Sequence, residues 1–453
     1  MFQYQPNRRA VIRSLVGGSL LMPGIVNHLL AGEAVNPLAP KAGHFPGKPK
    51  RVIFLFSTGG VSHMDTFDYK PKLIEADGKS YGAGGGLSNQ KKLLVKPQWT
   101  FRPGGQCGAM VSDLFPNLRD KMDDLCLIRS MKSDDNEHYQ ATLAMHCGSF
   151  FFTRPSRGAW VSYGLGSVNR NLPSFMVIAP NLPYAGTQVY GNDFLPAYHQ
   201  GTRVVPGAEP IANLKRRTPD ADRQRRELEL TAALNPPPAN SELAARVQSF
   251  ETAFRMQAEA PEAFDLSKET KETLDLYGIK DGDTTGFGWQ CLIARRLSER
   301  GVRFIELIDS GAANNWDAHD NMNQHEGKAK AIDKPIAGLL TDLKRRGMLE
   351  DTLVVWTTEF GRTPGQDGQY GRGHHSACFS SWLAGAGVKP GFTYGETDDI
   401  GATVAKDRVH VHDFHATILH LLGFDHEKLT YRHGGRDYRL TDVHGTVVKP
   451  ILT

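Results

Sequence analysis

The chain has 453 residues, of which 40% are hydrophobic and 23% are charged, and its formal net charge is +4. This length and composition allow one elaborated α/β domain or two domains, and they exclude a disordered or fibrous protein. Without residues 1–34, which hold three arginines and one glutamate, the charge falls from +4 to +2. A near-neutral chain disfavours nucleic acid as a partner. The five cysteines form no CxxC pair, which excludes a zinc knuckle.

Residues 1–34 have the pattern of a twin-arginine export signal. The pair Arg8-Arg9 precedes an apolar stretch at 15–25, and a small-x-small cleavage pattern ends at Ala34. The apolar stretch is too short and too rich in glycine to span a bilayer, which favours cleavage over permanent anchoring. We therefore expect the twin-arginine machinery to export this protein to the periplasm, with no stable membrane span.

The predicted elements alternate between strands and helices along the chain. Short runs rich in β-branched and aromatic residues predict four buried strands, at 51–56, 175–178, 303–308 and 352–356. Apolar residues at helical spacing between the last two strands predict a crossover helix, and residues 290–300 predict a second one. This alternation indicates an α/β fold with a mostly parallel central sheet flanked by helices.

Three further segments complete the predicted organisation. Residues 35–50 are expected to be a linker, and residues 51–453 to form the α/β domain. A polar, charged stretch at about 199–282 contains a run of three prolines and predicts a helical insertion on the sheet. Residues 72–110 are rich in glycine and lysine and lack periodicity, which predicts a long loop.

Acids and imidazoles are concentrated in the last third of the chain, where 11 of the 17 histidines lie at or after His319. Asp317 and His319 follow the third predicted strand, Glu359 follows the fourth, and His374 comes before a later apolar run. Ligands bind beyond the carboxyl ends of parallel strands, and these side chains carry the lone pairs that hold divalent metals. The alternatives are a capping hydrogen-bond network for Asp317 and His319, and a salt bridge for Glu359.

Several other polar residues are candidates for binding an oxyanion. Arg129, Arg362 and Arg372 could clamp a sulfate or phosphate group through paired N–H donors, with His375 beside them. Structural pairing with nearby carboxylates is the alternative for the arginines. His138 stands where an acidic loop at 134–137 enters a predicted helix, and the alternative role of the acids in this loop is helix capping.

The order of these segments resembles the alkaline phosphatase and sulfatase superfamily. It is most similar to an exported bacterial family of sulfatase-like proteins of unknown function. The resembling stretches are 51–60, 65–68, 253–257, 291–297, 316–319, 359–364, 382–385 and 441–443. The resemblance implies an alkaline-phosphatase-like fold that places metal ligands at the ends of successive strands.

The resemblance implies that Asp317, His319, Glu359 and His374 are metal ligands. Where the superfamily has a carboxylate after the first strand, this chain has Gly59-Gly60, which leaves Asp65 as the nearest substitute ligand. Phe360 also replaces the histidine that normally follows the acid at the end of the later strand.

The largest departure is at the position of the nucleophile. His138 stands where the superfamily's hydrolases keep a serine, threonine or cysteine, so a covalent intermediate has no obvious hydroxyl or thiol. The residues fit water activated by a metal, with His138 as ligand or general base and Arg362 as a further catalytic residue.

Two functions follow from these observations. The first is an exported hydrolase of sulfate or phosphate esters that depends on zinc, calcium or manganese and acts on a small-molecule or polysaccharide ester. The second is a non-catalytic exported protein of the same fold that binds a polysaccharide or an envelope partner. The missing nucleophile favours the second function, whereas the retained acids and histidines favour the first.

Overall fold

A computed structural model describes residues 37–81, 92–216, 220–235 and 242–453. The predicted export signal and the three consecutive prolines lie outside these described residues. The helices are α1 (Pro71–Glu75), α2 (Pro116–Arg119), α3 (His138–Cys147), α4 (Arg157–Leu165), α5 (Ala221–Leu234), α6 (Glu242–Phe264), α7 (Lys271–Tyr277), α8 (Phe287–Glu299), α9 (Gln324–Arg345) and α10 (Val411–Leu421). Within the described residues, no helix has both the length and the apolar character needed to cross a membrane.

The strands range from two to eight residues. They are β1 (Arg51–Phe56), β2 (Ser80–Tyr81), β3 (Lys92–Leu93), β4 (Phe101–Gly104), β5 (Ala109–Ser112), β6 (Leu125–Lys132), β7 (Phe175–Ile178), β8 (Thr202–Val204), β9 (Phe304–Ile308), β10 (Thr352–Thr357), β11 (Gly361–Asp367), β12 (Gly371–His375), β13 (Phe379–Gly385), β14 (Phe392–Tyr394), β15 (Glu396–Thr397), β16 (Val404–Lys406), β17 (Val409–His410), β18 (Tyr431–His433) and β19 (Arg436–Tyr438).

A nine-stranded sheet forms the centre of the protein. Its order is β14-β6-β13-β10-β1-β9-β7-β8, and β17 also pairs with β6. Every pairing is parallel except those on either side of β13. The four predicted strands are all present as β1, β7, β9 and β10, so the predicted mostly parallel sheet is confirmed.

The hydrophobic core lies on both faces of this sheet. Along β1, Ile53 and Leu55 pack with the apolar faces of α8 and α9, whereas Val52, Phe54 and Phe56 pack with α3, α4 and α10. Successive strand residues point to opposite faces, which explains why a strand buried on both sides is an unbroken apolar run. The two predicted crossover helices are α8 and α9, and they cover the same face.

The two less regular segments contain more structure than the sequence indicates. The stretch at about 199–282 holds the helices α5, α6 and α7, but it also contributes β8, which pairs in parallel with β7 at the sheet edge. The predicted long loop at 72–110 contains two small antiparallel pairs, β2 with β3 and β4 with β5. These strands are two to four residues long, too short for a repeating hydrophobic pattern to reveal them.

Buried neutral histidines make the fold sensitive to acid. Burial is the main cause that lowers the pKa of His63 and of His199 to about 3. The unfolded chain binds these protons near pH 6.5, so each histidine reduces the free energy of unfolding as the pH falls below 6.5. From pH 6.5 to 5, we expect a loss of about 1.6 kcal/mol for each histidine. Urea unfolding at both pH values measures this loss.

The variant His199→Gln isolates the contribution of one histidine. Between pH 6.5 and 5, its free energy of unfolding should fall by about 1.6 kcal/mol less than that of the parent chain. The matching substitution of the exposed His433 provides the control. Equal slopes for the His199 variant and the parent chain would contradict the prediction.

Candidate metal centre

The loops after the neighbouring strands β9, β1 and β10 meet at one edge of the sheet. Asp317 and His319 lie in the segment after β9, and Glu359 lies two residues after the end of β10. His374 belongs to β12, which pairs with β11 in a hairpin, and His138 is the first residue of α3. Because the carboxyl ends of parallel strands share one edge, segments far apart in sequence bring these five side chains together.

Three imidazoles of this cluster are oriented by acceptors on their Nδ1 atoms. The pairs are His138 with the Glu359 carboxylate (2.9 Å), His319 with the Asp367 carboxylate (2.7 Å) and His374 with the Asn136 carbonyl (2.7 Å). Since all three partners are oxygen acceptors, each Nδ1 carries the proton of its ring. In the neutral ring, Nε2 then presents a lone pair.

The three Nε2 atoms converge on Asp317. His319 Nε2 and His374 Nε2 lie 3.0 and 3.2 Å from Asp317 Oδ1, and His138 Nε2 lies 3.3 Å from Oδ2. The Nε2 atoms of His319 and His374 are 2.9 Å apart. The buried His138 Nε2 has no hydrogen bond among the described residues. Lone pairs that face one another at such distances require a proton or a cation between them.

This arrangement fits a metal ion. The ligand atoms of His138, Asp317 and His374 lie within 4.8 Å of one another, and among the described residues this is the one such group of three. Metal-binding histidines usually donate their other ring N–H to a carboxylate or a carbonyl, as these three do. The cluster is therefore a possible metal site, which we name the metal centre and define as His138, Asp317, His319 and His374.

The charges around Asp317 keep it ionised. Burial opposes its ionisation, but His138, His374 and the guanidinium of Arg362 outweigh burial and hold the pKa of Asp317 far below its usual range. Burial also opposes the charged form of His138, yet the carboxylates of Asp317 and Glu359 outweigh it and raise the pKa of His138. The metal centre thus offers a permanent negative charge to a cation.

Arg362 is held inside the protein beneath Asp317. Its side chain is fully buried, its Nη2 lies 2.6 Å from Asp317 Oδ1, and its Nε donates to the carbonyl of Gly60 (2.8 Å). A further Nη2 bond reaches the carbonyl of Gly59. Burial lowers the pKa of Arg362. The buried guanidinium of Arg362 therefore stabilises the ionised carboxylate of Asp317 from the interior of the protein.

The two departures Gly59-Gly60 and Phe360 depend on each other. A Cβ at Gly60 would lie 2.5 Å from the Phe360 ring, and the φ of Gly60 is +82°, which side chains rarely adopt. Phe360 also contacts the rings of His138 and His374, with centroids 4.9 and 4.7 Å apart. An apolar ring thus fills space beside the metal centre, and no carboxylate fits at Gly60.

The structure places four other predicted site residues in separate contacts. Asp65 is fully buried and pairs with Arg372 (2.8 Å). Arg129 lies 3.7 Å from Asp68, and the Nε2 of His375 lies 2.7 Å from the carbonyl of Ala402. Arg372 gives its remaining hydrogen bonds to three backbone carbonyls. None of these contacts joins the four residues to the metal centre.

Sequence reasoning missed four residues that surround the metal centre. Asp367 and Asn136 hold His319 and His374, and Tyr184 stacks on His138 with ring centroids 4.0 Å apart. The fourth residue, Asn315, accepts the backbone N–H of Asp317 (2.8 Å). Only Asp367 had a usable signal, because Asp367-Gly368 is typical of the turn that joins β11 to β12.

Replacing Glu359 should weaken metal binding at the metal centre without abolishing it. One ionised oxygen of Glu359 accepts hydrogen bonds from both the Gly59 N–H (2.7 Å) and the His138 Nδ1–H. In Glu359→Gln, a neutral amide replaces this ionised group. Loss of such a supporting partner lowers metal affinity about 10- to 100-fold. Competition with a chromophoric chelator measures the affinity. The exposed Glu396→Gln serves as the control, and an unchanged affinity in Glu359→Gln would contradict this role.

Together the sheet order and this cluster define an α/β protein with a possible metal site at the carboxyl edge of a mostly parallel sheet. Residues 49–452 match the family model described as "Protein of unknown function (DUF1501)". The chain belongs to this family, which confirms the predicted membership in a family of unknown function. A search of the curated proteins finds no match.

Solved structures of several hydrolases are similar to this chain at low identity. A phosphonate monoester hydrolase from Silicibacter pomeroyi has 10% identity and a TM-score of 0.38, with 89% of this chain and 76% of that one covered. The sulfatase PsFucS1 from Pseudoalteromonas sp. has 13% identity and a TM-score of 0.34, covering 84% and 68%. Alkaline phosphatase from the Antarctic bacterium TAB5 has 11% identity and a TM-score of 0.34, covering 84% and 99%.

Proposed function

We propose that this protein is a metal-dependent hydrolase of sulfate or phosphate esters. The observation that carries the proposal is the convergence of three imidazole Nε2 atoms on the ionised carboxylate of Asp317. His138, Asp317 and His374 would hold the ion from the protein side. His319, whose side chain is 41% exposed, would complete the ligand set on the solvent side.

The donor set favours zinc or manganese over calcium. Calcium takes six to eight oxygen ligands, whereas the metal centre offers three imidazole nitrogens and one carboxylate. Zinc accepts imidazole and carboxylate ligands together. Of the three metals expected from the sequence, zinc fits these donors best.

A bound divalent ion would polarise the ester and lower the pKa of a water molecule. The surrounding residues would keep the metal ligands in the correct protonation states and positions. Glu359 and Asp367 keep protons on the Nδ1 atoms of His138 and His319, so that both Nε2 atoms remain ligands. Arg362 keeps Asp317 charged, and Phe360 excludes water from one side of the two inner histidines.

The start of α3 supports direct attack by water. Its first residue is His138, and the nearest aliphatic hydroxyl on the helix, that of Thr142, is fully buried one turn further along. Thr142 Oγ1 has no hydrogen-bond partner among the described side chains and backbone groups. A buried hydroxyl without a base cannot serve as a nucleophile. The proposed reaction is therefore a single displacement by water.

One observation favours the second function, binding of a polysaccharide or an envelope partner without catalysis. Arg362 and Arg372, the cations expected to bind a sulfate or phosphate group, are fully buried and give their hydrogen bonds to the protein itself. A protein that only binds a partner needs no charged clamp for a transferred group. The same α/β scaffold would then present its carboxyl edge as a binding surface.

Hydrolysis assays distinguish the two functions. Protein loaded with zinc or manganese is tested against aryl sulfate and aryl phosphate esters. We expect turnover of at least one ester that disappears in Asp317→Asn and persists in the exposed control Asp399→Asn. Full metal occupancy without turnover of any ester would exclude the hydrolase and leave the binding function.

We also propose export to the periplasm through the twin-arginine machinery. The pair Arg8-Arg9 ahead of an apolar stretch supports this proposal. Changing both arginines to lysine should retain the protein in the cytoplasm. Normal export of the double-lysine variant would rule out the twin-arginine route.

A further inference from the structure

Tyr184 lies beside His138 of the metal centre, and its hydroxyl proton has no acceptor among the described residues. Its ring stacks on His138, with centroids 4.0 Å apart and planes inclined by 10°. Asn315 Nδ2 donates a hydrogen bond to the Tyr184 hydroxyl oxygen (2.6 Å). Because the hydroxyl oxygen accepts this bond, its own proton is free to be donated, and no residue of the described chain accepts it.

The loops after β7 and β9 hold Tyr184 in a fixed position. The backbone N–H of Ala312 donates to the carbonyl of Leu182 (2.9 Å), which joins the two loops beside Tyr184. Asn315 bonds Tyr184 through its amide nitrogen and the Asp317 backbone through its amide oxygen (2.8 Å). One amide side chain therefore sets the position of Tyr184 relative to a proposed metal ligand, as preorganised sites require.

The two nearby arginines use their hydrogen bonds within the protein and are not available to bind an anion. Arg362 bonds Asp317 and the backbone carbonyls at Gly59 and Gly60, and Arg372 bonds Asp65 and other carbonyls. Both arginines are fully buried, whereas Tyr184 is only half-buried. An oxyanion arriving from solvent would therefore meet the hydroxyl of Tyr184 and neither guanidinium.

We propose that Tyr184 is a specificity-determining residue. Its hydroxyl group would donate a hydrogen bond to an oxygen of a sulfuryl or phosphoryl group held at the metal centre. This inference rests on the proposed metal centre and extends the proposed function to the recognition of its substrate. A hydrogen bond to a charged oxygen of this kind changes affinity about 10- to 100-fold. Tyr184 thereby takes over the role that the sequence suggested for the buried arginines.

The experiment uses the protein loaded with Co²⁺, whose visible absorption reports on the metal and its ligands. Inorganic phosphate and inorganic sulfate are titrated separately into the parent protein, Tyr184→Phe and Tyr139→Phe. Tyr184→Phe keeps the ring on His138 and removes only the hydroxyl. We expect its Co²⁺ affinity and spectrum to match those of the parent chain, while its affinity for the preferred anion falls about 10- to 100-fold.

Tyr139→Phe is the matched control, because it removes a hydroxyl one residue from His138 that bonds Gln188 (2.7 Å). It should bind Co²⁺ and both anions as the parent chain does. Equal anion affinity in Tyr184→Phe and the parent chain would overturn the role of Tyr184 alone, as would a parent protein that binds Co²⁺ but neither anion. Failure of the parent protein to take up Co²⁺ would overturn the metal centre and this inference together.

Discussion

The variant Asp317→Asn is expected to lose at least about 100-fold in divalent-metal affinity, since removing even a supporting partner costs 10- to 100-fold. Asp317 supplies the only carboxylate of the metal centre and contacts all three Nε2 atoms. A neutral amide cannot offset the charge of a divalent ion. The amide oxygen can still accept the hydrogen bond from the buried Arg362, so the variant should remain folded.

Elemental analysis after dialysis, followed by chelator competition, measures this loss. Asp320→Asn is the matched control, because it removes an exposed carboxylate only three positions away. Circular dichroism shows whether each variant is folded. Unchanged metal content in a folded Asp317→Asn protein would place the ion elsewhere and would refute the metal centre.

The second large effect is expected from Arg372→Met, which should reduce the free energy of unfolding by about 3–5 kcal/mol. Arg372 and Asp65 are both completely buried and lie 2.8 Å apart. Removing the guanidinium leaves a buried carboxylate without its cation and three backbone carbonyls without a donor. The loss would be structural, with metal content retained by the folded protein.

A double variant tests whether the unpaired charge causes this loss. Adding Asp65→Asn to Arg372→Met removes the unpaired buried charge and should restore part of the free energy of unfolding. An uncompensated buried ion destabilises the fold more than a neutral pair does. Urea unfolding of both single variants and the double variant completes the cycle. For comparison, Arg432→Met breaks an exposed pair with Asp437 and should cost less than about 1 kcal/mol. A stable Arg372→Met protein that has lost only anion binding would instead support the substrate-binding role inferred from the sequence.

These two variants also distinguish the roles of two carboxylates, Asp317 and Asp65, at one edge of the sheet. The carboxylate of Asp317 is 24% exposed and faces histidines whose lone pairs need a cation. The carboxylate of Asp65 is fully buried and already has its cation in Arg372. Similar residue types thus provide a candidate binding site in one case and internal stability in the other.

Sequence patterns alone predicted the strands β1, β7, β9 and β10 and the crossover helices α8 and α9. Their signals are local, because side chains repeat every two residues in a strand and every 3.6 in a helix. The sequence also indicated where chemistry would gather, since polar residues that follow parallel strands share one edge. On that basis it selected Asp317, His319 and Glu359. His374 was selected ahead of a later apolar run, and His138 from the family resemblance. The structure brings all five together.

The contacts and burial of each of these side chains depend on the folding of the whole chain. The partners that orient the three imidazoles include Asn136, which lies 238 positions from His374, and Glu359, which lies 221 positions from His138. Arg372 reaches Asp65 across 307 positions. The position of a proton on a ring, or the burial of an arginine, depends on which atoms lie within about 3 Å of it. Local sequence patterns carry no information about such neighbours, because packing of the whole chain brings them together.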